Sequence, residues 1–207
     1  MKEINEYEKD LASIRSVMER SVKFISLSGL SGVLSGLYAL AGAAYAYKVI
    51  YAPMPPWGYP VSILDYPSKI FRLELTALFV FVAAIATGFL FSWFKSNKIG
   101  TSLWSSTSKQ LLLDLFTPLF SGGIFVVIVL LREYYVLVAP LCLIFYGLAL
   151  IQSSRSTFRE IKYLGATEII LGIAAAIAPS YGLILWAIGF GLMHVIYGAI
   201  MYFRYDR

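Results

Sequence analysis

The chain has 207 residues, 59% hydrophobic and only 14% charged, whereas soluble domains carry about one-quarter charged residues. Its mean hydropathy is +0.74, and its apolar runs are too long for core helices, which excludes an ordinary soluble domain and indicates a polytopic membrane protein. The net charge of +5 is no nucleic-acid signal: with a cytoplasmic N-terminus, 13 of the 17 Lys and Arg fall on the inside, as the positive-inside rule requires.

Residues 1–23 are polar but patterned. Ile4, Tyr7, Leu11, Ile14 and Met18 recur at spacings of three and four, the seam of a short coiled coil. Five acids balance five bases here, unlike a helix made to lie on anionic lipid. The segment is predicted to be a cytoplasmic amphipathic helix that docks on its own bundle or on a second subunit; the alternative is a merely solvated amphipathic helix. Residues 24–207 form the membrane domain.

The first span is predicted over Phe24–Tyr47. Gly29, Gly32, Gly36, Ala39 and Ala43 make a small-residue face suited to close helix packing, within the chain or in a homo-oligomer. Ser28, Ser31, Ser35 and Tyr38 make a polar stripe beside it. That stripe is a candidate cavity wall; its alternative is serines bonded back to their own helix carbonyls. Residues 48–69 hold five of the eight prolines, which exclude a helix and predict a lid or interfacial loop.

The second span is predicted over Leu73–Phe94, followed by a polar loop over 95–109. The third, Leu111–Leu131, contains Asp114 and Pro118. Proline frees the carbonyl four residues earlier, so Asp114 offers a carboxylate and a backbone oxygen to a proton, water or small cation. Alternatively Asp114 simply reaches headgroup water. After a short turn at Arg132-Glu133 comes the fourth span, Tyr134–Ile151, with Pro140 and Cys142. A lone cysteine excludes an intrachain disulfide.

The fifth and sixth spans, Tyr163–Ala178 and Leu183–Phe203, form the hairpin around which the polar residues gather. Its turn is Pro179-Ser180-Tyr181-Gly182. Glu168 and the sole histidine, His194, lie about 13 residues either side of it. At about 1.5 Å rise per residue both reach roughly 19–20 Å from the turn. Gly165, Gly172, Ala175 and Ala176 flank the acid, and Ala187, Gly191 and Gly198 flank the histidine, so both point at protein rather than lipid. In contact they can share one proton, as a neutral hydrogen-bonded pair or an ion pair; the alternative is that the contact only satisfies two costly polar groups and braces the hairpin.

The predicted fold is therefore all-α: six transmembrane helices in three hairpins, in a cell membrane, with both termini cytoplasmic. Metalloprotease, serine-hydrolase, P-loop and dinucleotide signatures are all missing, and the chain is expected to be no enzyme, without cofactor, metal or nucleic-acid partner. Two functions remain. One is a small proton- or cation-coupled transporter or channel with its polar site, Glu168, His194 and Asp114, in the cytoplasmic half. The other is a non-transporting interaction or regulatory protein acting through its N-terminal helix.

Overall fold

A computed structural model describes residues 28–51, 67–100 and 104–206. The N-terminal seam and most of the proline-rich segment lie outside the described residues. Among the described residues the chain forms helices and short turns, with no strand. Helix α1 is Gly29–Tyr51, α2 Pro67–Ile99, α3 Ser106–Leu131, α4 Val138–Ser153, α5 Arg159–Ile177 and α6 Pro179–Asp206. Five of the six are long and apolar enough to cross a membrane. The exception is α5, whose apolar run is interrupted by Arg159, Glu160, Lys162 and Glu168. This is an integral membrane protein built as an all-α bundle.

Helix ends differ from the predicted bounds for local reasons. Residues 48–51 belong to α1, and α2 starts at Pro67, where a proline's missing N–H costs nothing. The predicted polar loop shrinks because α2 continues to Ile99 and α3 starts at Ser106. Ser105 caps α3, its Oγ accepting from the Ser108 N–H at 3.1 Å. The Arg132-Glu133 turn places Glu133 at φ 61°, the left-handed conformation that commonly ends a helix.

The three predicted hairpins are present, and they are laid side by side in the order α2, α1, α6, α5, α4, α3. Missing side chains set the close approaches. A Cβ on Gly147 of α4 would lie 2.6 Å from the Gly165 carbonyl oxygen of α5, and one on Gly165 would lie 2.7 Å from the Gly147 oxygen. Likewise a Cβ on Gly29 would lie 2.5 Å from the Gly198 oxygen, and one on Gly198 would lie 2.5 Å from the Val33 nitrogen. Without a hydrophobic driving force between helices in lipid, such backbone contact is what associates them. Gly29, Gly32 and Gly36 of the first span's small face thus pack against α6 in the same chain.

At the rims, α2 and α3 turn large apolar side chains outward, among them Phe79 at 72% and Leu113 at 61% exposure, as lipid-facing helices do. The two ends of the bundle meet. Asp206 accepts hydrogen bonds from the Gly29 N–H at 2.7 Å and the Ser28 hydroxyl at 3.1 Å, and it pairs with Lys95 near the end of α2. One carboxylate thus caps the positive end of α1 while tying it to α2 and α6. Close by, Glu160 accepts from Arg204 at 2.8 Å and from the Tyr205 hydroxyl at 3.0 Å.

Candidate functional site

Glu168 sits on the face of α5 that turns inward, and none of it is exposed. Three glycines put it there. Gly165 and Gly172 let α5 lie against α4, where a Cβ on Gly172 would come within 2.6 Å of Ile144. Across the seam Gly189 leaves room for the carboxyl group itself, since a Cβ there would lie 2.4 Å from Glu168 Oε2.

Helix α6 changes winding at this level. Residues Ala187–Met193 form a π-helical segment, followed by the α-helical His194–Met201. A π turn fits more residues into the same length and is a frequent mark of functional sites. It absorbs the extra residue by which His194 is farther from the turn than Glu168. The result is contact: His194 Nδ1 lies 3.5 Å from Glu168 Oε1.

The tautomer follows from the partners. Nδ1 is 3.0 Å from the Gly189 carbonyl oxygen, which can only accept, so Nδ1 carries the proton. In the neutral ring Nε2 then accepts, and the Tyr146 hydroxyl donates to it at 2.8 Å. Phe190 stacks on His194 at 5.9 Å and lies 4.9 Å from Tyr146, holding the imidazole in plane. Glu168 is placed differently: neither carboxyl oxygen has a hydrogen-bond partner among the described residues.

The site is therefore a triad, Tyr146, His194 and Glu168, drawn from α4, α6 and α5. The sequence joined the last two and missed Tyr146. Its only signal was a tyrosine inside an apolar run, whose hydroxyl must find a partner. The small residues beside Glu168 and His194 serve different neighbours: Gly165 and Gly172 receive α4, while Gly191 and Gly198 receive α1. Gly189 alone opens the seam between acid and histidine.

Asp114 stands apart from this triad. It is 9% exposed, and its Oδ1 accepts from Gln110 Nε2 at 2.8 Å and its Oδ2 from the Ser156 hydroxyl at 3.3 Å. It lines an open cleft of about 700 Å³ between α3 and α4. A second cleft, of about 410 Å³ between α1 and α6, is almost wholly apolar, with Leu40, Tyr47 and Leu183 in its walls.

The expected cavity wall on α1 borders neither cleft. Ser28 bonds Asp206, Ser31 donates to the Ser28 carbonyl at 2.7 Å, and Tyr38 accepts from Thr87 on α2 at 3.3 Å; Ser35 is partly buried. Ser28 and Tyr38 thus tie α1 to its neighbours, whereas Ser31 bonds back within its own segment. Among the described residues no three His, Cys, Asp or Glu side chains converge as a metal site would need. Compared with protein-family models, curated proteins and solved structures, the chain matches none.

Proposed function

We propose that this membrane protein couples movement of a proton, or of a small cation exchanged for one, to protonation of the Tyr146–His194–Glu168 triad. One observation carries the reading. A carboxyl group fully enclosed between helices has no hydrogen-bond partner among the described residues, yet touches an imidazole at 3.5 Å. A buried polar group without partners costs free energy. Ionisable residues inside membrane bundles are costly and mark substrate and ion pathways or proton relays.

The geometry supplies two protonation states. In one, Glu168 holds the proton and neutral His194 donates to Gly189 while accepting from Tyr146. In the other, Glu168 is ionised and the ring has taken up its second proton at Nε2, because Nδ1 already carries one, and the imidazolium donates from both nitrogens, to the Glu168–Gly189 side and to the Tyr146 oxygen. Tyr146 changes from donor to acceptor without moving. Such a relay needs no bond-making chemistry. The cytoplasmic placement of the two meeting ends, inferred from the basic loops, belongs to the same proposal.

A second reading, a non-transporting regulatory protein in which the triad senses protonation, is favoured by a specific feature. Neither Glu168 nor His194 borders either cleft, so the pair occupies a closed seam. The test is flux. Protein reconstituted in liposomes with an internal pH dye is challenged with a proton gradient, with and without opposed cation gradients. Wild-type vesicles should acidify and Glu168→Gln vesicles should do so at least tenfold more slowly. Equal rates in the two, at equal incorporation, defeat the transport reading.

A further inference from the structure

The cleft between α3 and α4 shares no residue with the triad and has its own chemistry. Its floor is the point where the two helices converge. A Cβ on Gly122 would lie 2.4 Å from Phe145 Cγ, so Phe145 crosses onto α3 there. From Ser121 at the floor to Gln110 at the mouth the lining of α3 spans about 16 Å at helical rise. The inner wall carries Pro118, Phe145 and Leu148, and its two hydroxyls, Thr117 and Ser121, are spent on carbonyls of their own helix. The mouth is polar, with Asp114, Gln152 and Arg155.

This gradient matches the membrane. The mouth lies near the start of α3 at Ser106 and the end of α4 at Ser153, where the hydrocarbon gives way to headgroups. Among the described residues Asp114 has only neutral partners, Gln110 and Ser156, and makes no ion pair. Its buried carboxylate therefore calls for a cationic N–H donor, since buried charges are paired. Arg155 brings the opposite demand to the same mouth, and its guanidinium suits a phosphate. A molecule satisfying both, with a chain for the inner wall, is a zwitterionic amphiphile with a primary ammonium.

We propose that this cleft binds a bilayer aminophospholipid of the ethanolamine type. Its ammonium sits on Asp114, its phosphate on Arg155, and one acyl chain runs along Pro118, Phe145 and Leu148. A choline head lacks the N–H donors, and a glycerol head lacks the cation, so the site discriminates between bilayer lipids. This holds whether or not the triad moves protons.

The test is native mass spectrometry of the full chain in detergent, titrated with phosphatidylethanolamine, phosphatidylcholine, phosphatidylglycerol and soluble phosphoethanolamine. The ethanolamine lipid should bind at least tenfold more tightly than the other two lipids. Asp114→Asn, which keeps the acceptor for Gln110, should lose that tenfold preference. Leu148→Trp should block the chain and lower affinity for the ethanolamine lipid by a similar factor. Leu148 is 43% exposed and faces outward, so this variant folds even if Asp114→Asn does not. Equal binding of ethanolamine and choline lipids overturns the proposal, as does unchanged binding in either variant. Displacement of the lipid by phosphoethanolamine at comparable concentration overturns the bilayer source.

Discussion

Gly189→Ala is the most direct test of how the triad is built, because it changes no titratable group. The new Cβ would stand 2.4 Å from Glu168 Oε2 and 2.6 Å from Leu143 Cδ2. Ordinary contact begins near 3.4 Å, so the carboxyl must retreat by roughly 1 Å. Leu143 is fully buried and cannot make way cheaply. Overpacking of this kind costs about 1–3 kcal/mol, partly offset by the about 0.5–1 kcal/mol that alanine gains over glycine within a helix. The matched control is Gly88→Ala on α2, where a Cβ meets nothing within 4 Å and only the gain remains. The two variants should differ by about 2 kcal/mol, or several degrees of melting temperature at about 2–4 °C per kcal/mol. Thermal unfolding of both in one detergent measures this, and proton flux should fall at least tenfold in Gly189→Ala alone. Equal melting temperatures would show that Glu168 does not occupy the space Gly189 leaves.

Glu168→Leu should leave the melting temperature unchanged or raise it, by up to about 4 kcal/mol of stability, because His194 retains Gly189 and Tyr146 as partners; a clear loss of stability would return Glu168 to a bracing role. Asp206→Ala should cost about 2 kcal/mol in chemical unfolding, from a lost cap and a lost partly buried ion pair, whereas Asp206→Asn should recover the cap; no change in either variant would mean that the joined ends carry no stability. Glu133→Gly should stabilise by about 1 kcal/mol, since glycine adopts φ 61° without the penalty of a side chain; thermal melts showing a decrease would contradict that turn. For topology, in a background lacking Cys142, Glu133→Cys should react with an impermeant thiol reagent added outside intact cells and Lys98→Cys should not; the reverse pattern would invert the orientation of every loop.

The membrane class, the helix count and the three hairpins were legible in the residues themselves, because each depends on local quantities. Run length and polarity decide what spans, and Pro179 with Gly182 marks the last turn whatever surrounds it. The matching depth of Glu168 and His194 was legible for the same reason, since helical rise converts spacing into distance. Which face meets which neighbour was not. Gly165 and Gly198 carry the same small-residue signal, but one receives α4 and the other α1, a choice made by how six rods share space. Tyr146 shows the limit most clearly. Its own helix holds nothing that names His194 as a partner 48 positions away, and the pairing exists only because Gly147 and Gly165 bring α4 and α5 together beside α6. The π segment of α6 is likewise a response to packing: Gly189 must face Glu168 while Gly191 faces Leu40 of α1. Composition and period determine what kind of helix forms and how deep each side chain lies, whereas contact between distant side chains is settled by backbone approach in three dimensions.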